Sequence, residues 1–475
     1  MRYLVPSVLA LLAGCGYRAD HTVPELSTDA PKQFVEQELA GAAPIAWVDD
    51  FQDATLRALV DEAWQANPDL VATAARLEQA RARARQSGAS RLPELSATAG
   101  AGRSRSNPGG TATYSNDFNL GLSVSWEADV WGRLAAAARA DVAEALAAEA
   151  DLLAAHQSLA AQVAKTWFRI THDRLQLDLS SNFRDSAATT VRLVTKRYAD
   201  GRSPAVDVRA ARAQLERAEV DVAQRQKALQ ASQRDLELLL GRYPRAAVDG
   251  AGDLPAVLGP IAAGLPAELL LRRPDLQASI ARLQAADQRV ASSQADLLPR
   301  ISLTASGGLR SDDLKDLVEP EALIWNLVAN LIAPLFDGGR RRAVVDERIA
   351  RVEELAANYA RDALKAFREV EAALAIGEVL TSELEHQRRA TDESHQVVVE
   401  LRSRYAQGLT DGVILLGEQR QALNRDKELL ALRLEALLNR IDLYLSLGGD
   451  ATPDQSAIVA RRANPEDAAA NEDTP

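Results

Sequence analysis

The sequence predicts a mostly α protein carrying part of a membrane β-barrel. It reads as two tandem repeats, each a β-hairpin followed by long coiled-coil helices. Three observations carry this. The chain repeats itself at an offset of about 207 residues. Asn67-Pro68-Asp69-Leu70 returns as Arg273-Pro274-Asp275-Leu276, and Leu92-Pro93 as Leu298-Pro299. Trp131-Gly132-Arg133 returns as Gly338-Gly339-Arg340, and Tyr198-Ala199-Asp200-Gly201 as Tyr405-Ala406-Gln407-Gly408. A constant offset means that the intervening elements keep their lengths, which marks a structural repeat. The second observation is that 134–200 contains no Gly or Pro, and that 340–407 matches it with only Gly377 inside. Both runs are made of strong helix formers, and at 1.5 Å per residue each spans roughly 100 Å. Such lengths with frequent Ala suit coiled-coil packing rather than a globular core. The third is period-two alternation. Leu95, Ala97, Ala99 and Ala101 alternate with small polar residues, as do Leu120, Leu122, Val124 and Trp126, and later Ile301, Leu303 and Ala305. These segments predict strands with one apolar and one polar face. They suit either a barrel wall between lipid and water or a small soluble sheet.

In chain order, Met1-Arg2 and an apolar run through Leu12 predict a signal peptide over 1–14, too short to span as a helix. It ends in Leu12-Ala13-Gly14-Cys15, and Cys15 is the only cysteine. That ending resembles the bacterial lipobox, in which the Cys thiol takes a diacylglyceryl group and becomes the mature N-terminus. With Gly16 after it, the motif resembles the outer-membrane-sorted case. Acylation, palmitate included, would anchor the chain stably. An extended lead-in is expected over 15–50. The first repeat covers 51–250, with strands at about 94–104 and 118–127 and helices at about 134–200 and 205–240. The second covers 251–449, with strands at about 300–309 and 326–335 and helices at about 340–407 and 411–447. The Ala-, Asp-, Glu- and Pro-rich stretch 450–475 reads as a disordered tail.

Composition excludes several function classes. The 475 residues carry a net charge of −12 and only 4% aromatics, with no basic patch of interleaved aromatics for nucleic acid. The five histidines, His21, His156, His172, His386 and His395, are scattered. They form no metalloprotease, nucleophile-elbow or phosphate-loop motif, so no catalysis, metal or cofactor is expected beyond a lipid on Cys15. No apolar stretch after Cys15 is long enough for a transmembrane helix, so a membrane crossing would require a closed barrel. Four strands cannot close one, and the chain would have to oligomerise.

Several motifs, in order and duplicated, carry a family resemblance. They are the lipobox, Asp129-Val130-Trp131-Gly132-Arg133, Arg197-Tyr198-Ala199-Asp200-Gly201, Pro334-Leu335-Phe336-Asp337-Gly338-Gly339-Arg340 and Phe367-Arg368-Glu369-Val370-Glu371. The chain resembles the outer-membrane factors of tripartite efflux systems, the TolC-like family, and especially its NodT-type lipoproteins. The resemblance implies a homotrimer with a 12-stranded barrel continuous with a helical periplasmic tunnel in a Gram-negative outer membrane. It implies passive export of drugs or other toxic small molecules. The energy would come from an inner-membrane pump, RND type, working through a periplasmic adaptor, or membrane fusion, protein. The helical tips at Gly201 with Ser203, and at Gly408 with Leu409 and Thr410, would dock the adaptor. Asp207, Tyr405, Asp411 and Glu418 would contribute to the gate, with Tyr405 and Asp207 at positions where hairpins are tied by hydrogen bonds. Thr410 stands where a basic latch residue is expected, and Ile414 and Gly417 where aspartate rings are expected. The constriction is therefore open to an acidic or an apolar reading, and Asp411 also reads as a helix N-cap. The alternatives are a periplasmic adaptor lipoprotein, a structural coiled coil, and the outer-membrane duct of type I protein secretion.

Overall fold

The computed structural model describes residues 47–110, 112–256, 259 and 266–449. The expected signal peptide, Cys15, most of the lead-in and the tail lie outside them. The helices are α1 (Ala54–Ala66), α2 (Pro68–Ala89), α3 (Arg133–Ala199), α4 (Ala205–Leu239), α5 (Pro266–Arg272), α6 (Pro274–Ala295), α7 (Arg340–Ala406) and α8 (Gly412–Ser446). The strands are β1 (Glu94–Ser106), β2 (Thr113–Ala128), β3 (Arg300–Ser311) and β4 (Leu323–Ile332). The repeat is visible in the lengths: α2 and α6 have 22 residues each, α3 and α7 have 67, and α4 and α8 have 35. No described helix is long and apolar enough to cross a membrane.

Compactness divides the chain differently from the repeat. One unit draws on 75–150 and 276–361, the other on 47–74, 151–275 and 362–449, so each takes part of both repeats. The first unit holds the sheet, antiparallel throughout in the order β1-β2-β3-β4. The two hairpins are joined by a β2–β3 ladder running from Phe118↔Ser311 to Ala128↔Ile301. Cross-strand partners share a face. Leu95↔Val124↔Ala305↔Leu327 and Ala99↔Leu120↔Leu309↔Leu323 place the apolar residues together, while Ser96↔Ser123↔Ser306↔Asn326 lies on the other face. The Ser96 and Ser123 hydroxyls bond across that polar face at 2.7 Å.

Two strands, β2 and β4, differ from expectation at their boundaries. β2 begins at Thr113, not 118, because pairing continues through Ser104↔Ser115 and Arg105↔Tyr114, where both faces are polar and the alternation vanishes. β4 runs from Leu323 and stops at Ile332; Pro334 has no N–H to add to a ladder. In the same unit Trp131 Nε1 donates to the Pro299 carbonyl at 2.6 Å and Trp126 Nε1 to that of Arg91 at 2.9 Å. These indoles fix the strand ends to the segments around Pro93 and Pro299. Helix α6 is seamed to α7 by Leu283, Ala286, Val290 and Val352.

The second unit has a conventional core. Although aromatics are scarce, four gather there: Trp47 stacks on Tyr444 with centroids 5.7 Å apart, and Phe51 meets Phe168 edge-on at 5.0 Å. Trp47, Phe168 and Tyr444 are fully buried with Leu56, Ile170, Leu236, Leu437 and Ile441. Along α3, Ala160, Ala161 and Ala164 are buried, which lets helices approach closely. Asn67 explains the break between α1 and α2. Its Oδ1 accepts from the Asp69 and Leu70 amides at 2.9 and 3.1 Å, capping α2, while Nδ2 donates to the Leu239 carbonyl at 2.9 Å.

Candidate functional site at the helical tips

The residues expected at the tips all fall in the second unit. Each long helix ends in the same turn. Gly201 (φ +70°) and Gly408 (φ +78°) adopt the left-handed conformation that closes a helix C-terminus. The Arg202 amide donates to the Arg197 carbonyl at 2.7 Å, and that of Leu409 to the Arg404 carbonyl at 2.9 Å, which satisfies carbonyls left over at the helix ends.

The return helices start differently. In the first repeat, Ser203 Oγ donates to Asp207 Oδ2 at 2.6 Å across the first turn of α4. In the second, Asp411 is the N-cap of α8, its Oδ1 accepting from the Val413 amide at 2.9 Å. Asp207 is buried at 8% exposure. Tyr405 lies over the Arg197 guanidinium, 4.5 Å from carbon to ring centroid, and Arg197 Nη1 donates to the Tyr405 carbonyl at 3.0 Å.

Within one chain, Tyr405 and Asp207 therefore each meet a different partner. Ser203, four residues before Asp207, reaches its carboxylate within one turn, and Arg197 occupies the tyrosine face. Arg197 is the tip residue that sequence reasoning passed over: its motif was noted but gave it no partner. A guanidinium on an aromatic face contributes about 0.5–1 kcal/mol at an exposed site. Here it joins the two tips of one chain. Ring atoms of Tyr405 also stand 3.3–3.4 Å from where a Cβ on Gly412 would sit, so Gly412 leaves room for the ring.

Behind the tips Val194, Val208, Ala211 and Leu416 form a small apolar cluster across α3, α4 and α8. In front, Leu409 (72%), Val206 (63%) and Ile414 (53%) are exposed. Thr410 and Ser203 are half-buried, and Glu418 is half-buried farther along α8 with no ion pair among the described residues. Gly417 and Ile414 share the exposed side of α8 with Asp411. No group of three metal-ligating side chains occurs among the described residues.

A family model described as outer membrane efflux protein matches residues 59–242 and 265–449, one segment for each repeat. The chain belongs to that family. The cation efflux system protein CusC of Escherichia coli (strain K12) is 30% identical over 454 residues, covering 94% of this chain and 99% of CusC. The toluene efflux pump outer membrane protein TtgF of Pseudomonas putida is 30% identical over 462 residues, covering 94% of this chain and 96% of TtgF. The solved outer-membrane channel OprN superposes with a TM-score of 0.85 at 27% identity, covering 92% of this chain and all of OprN. This protein is an outer-membrane efflux duct, and its place is the outer membrane. The two relatives are equally similar, yet one is named for cations and the other for toluene, so this degree of likeness does not choose a substrate.

Proposed function

We propose that three copies of this chain close one 12-stranded barrel over a helical tunnel, and that the assembly conducts small toxic molecules passively. The observation that carries this is the sheet. Its apolar face, with Trp325 (78%) and Leu331 (68%) among its residues, is uncovered by the chain, and β1 and β4 are outer strands. Lipid tolerates neither an open strand edge nor an unsatisfied backbone, so such a sheet in a membrane has to be completed by other copies. An even total of about eight or more strands is the range of bacterial barrels, which four-stranded copies reach by oligomerising. The choice of three rests on the family resemblance.

The same reading has Cys15 acylated and the tips at Gly201, Ser203, Gly408, Leu409 and Thr410 docking a periplasmic adaptor. An inner-membrane pump of RND type would supply the energy and set the substrate. Exposed Leu409 and Val206 support docking, because apolar side chains at a turn otherwise cost solubility. Arg197 on Tyr405 supports a closure that can be undone by repacking rather than by breaking a buried ion pair. The test is conductance of the purified full-length protein in planar bilayers with its mass in detergent. Trimers that open discrete pores are expected. Particles that stay soluble without detergent and give no pores would show the reading to be wrong.

A further inference from the structure

Within the unit that holds the sheet, a cleft of about 350 Å³ opens between the first turns of α3, the second half of α6 and the first turns of α7. Five arginines line it against two aspartates. Most of these charges are already committed. Arg133 forks onto Glu127 at 2.8 and 2.9 Å. Arg289 pairs with Glu144 at 3.0 Å and faces Asp141, which also accepts from Ser87. Asp296 is held by Arg300 and, at 3.6 Å, by Arg341. The cleft acids are thus neutralised from within, and the guanidinium groups of Arg340 and Arg348 are left with no ion pair or hydrogen bond to a described residue.

For Arg340, exposed at the start of α7, this carries a small cost. Arg340, Arg341 and Arg342 open α7, and its first turn holds no acid. The positive end of a helix disfavours cations, by about 0.3–1 kcal/mol each at a surface. Asp337 already caps that helix through the Gly339 and Arg341 amides, at 3.1 and 3.2 Å, so capping needs no arginine. Arg348 lies two turns further and is half-buried. Departures of this kind from local rules are expected at functional or strained sites. Two uncommitted guanidinium groups, one at the start of α7 and one two turns on, give a cleft also lined by Ala137, Ala140 and Ser293 an excess of positive charge that suits an oxyanion.

We propose that this cleft binds a phosphate group, with Arg340 and Arg348 as its two direct ligands. Phosphate esters of lipid headgroups and free phosphate share that chemistry. Helices α3 and α7 follow directly on β2 and β4, which places the cleft at the strand ends, where basic pockets beside a membrane meet headgroups. The phosphate chemistry stands on the cleft alone; only the lipid source rests on the sheet lying in the membrane.

Arginine labelling by phenylglyoxal, read peptide by peptide on the full-length protein in detergent, tests this without a variant. In chloride both arginines are expected to react. Sodium phosphate at equal ionic strength, or phosphatidylglycerol in mixed micelles, should lower labelling of Arg340 and Arg348 about tenfold while Arg342 changes little. Protection by phosphatidylglycerol but not by phosphate assigns the lipid source; protection by phosphate alone assigns the soluble one. In native mass spectrometry, the double variant R340Q/R348Q should lose the retained phosphate or lipid about tenfold, and R342Q should keep it. The proposal is overturned if neither probe protects, if oleate micelles protect equally, or if both arginines are unreactive in chloride, which would mean that a second copy covers them.

Discussion

The two repeats share their lengths but not their anchors. Glu237, near the end of α4, and Tyr444, near the end of α8, are equivalent by the offset of about 207, and both are fully buried. Glu237 accepts from the Ala246 and Ala247 amides at 2.7 Å each, tying down the segment that leaves the first repeat. Tyr444 donates to Asp50 at 2.5 Å and stacks on Trp47, tying down the turn that enters the first. Likewise Asn67 and Arg273 occupy equivalent places and reach equivalent carbonyls, those of Leu239 and Ser446, at 2.9 and 3.5 Å. Duplication preserved where a helix end must be held. It left free which chemistry holds it, because any donor or acceptor of the right reach satisfies the same backbone groups.

The largest break in this comparison should come from Glu237→Ala. It strands two amides and removes a charged acceptor, for a loss of about 3 kcal/mol in denaturant unfolding of the detergent-solubilised protein. Tyr444→Phe keeps the stacking and removes only the hydroxyl, so about 1–2 kcal/mol is expected. A result in which the tyrosine variant is the weaker of the two would invert the ranking of the anchors.

Protonation should separate them further. Burial works to raise the Glu237 carboxyl, but hydrogen bonds from the Ala247, Ala246 and Arg245 amides outweigh it and hold it below the usual range. Its contribution is therefore present above the unfolded value near 4.3 and is lost as pH falls through the lower folded value. Burial, then the bond to Asp50, pushes Tyr444 up to about 12. Its contribution is present below the unfolded value near 10 and is lost as pH rises through about 12. Amide exchange should loosen at Ala246 and Ala247 in acid and around Trp47 in base. Loosening of both segments at the same end of the scale would remove the assignment.

Smaller effects belong to the tips. Arg197→Ala should cost about 1 kcal/mol and, if that contact holds the tips closed, raise open probability in bilayers about fivefold. Unchanged gating would leave Arg197 a structural staple only. Asp411→Ala, the loss of a helix cap, should cost about 1 kcal/mol. Ser203→Ala takes the hydroxyl donor from the buried Asp207 carboxylate and should cost about 1–2 kcal/mol. Equal effects of the last two would mean that the tips differ less than their hydrogen bonds suggest.

How much was legible beforehand depended on whether a signal was local. The 67-residue helices end within a residue of the expected limits, because Gly201 and Gly408 announce the turn themselves. The outer half of β2 was missed because polar residues on both faces erase the alternation while the backbone ladder persists. Asp411 as a cap was readable from its place before α8, and the residues of both tips were marked by the repeat. Their partners were only partly so. Ser203 meets Asp207 four residues on, a spacing the sequence displays, but Arg197 claims Tyr405 through side-chain reach in three dimensions, and no spacing rule encodes a contact across 208 residues.

The sequence by itself determined the duplication, the helix lengths, the turn glycines and the presence of strands with one apolar face. All of these follow from backbone propensity and periodicity within a few residues. Only the tertiary structure decided that the two hairpins join into one sheet through β2 and β3, and that the compact units cut across the repeats. It also decided that Glu237 and Tyr444 anchor different segments, and that Arg340 and Arg348 line one cleft with no ion pair among the described residues. These outcomes depend on which distant groups come within a few ångströms of each other, and competition among many possible partners is resolved only when the whole chain is packed.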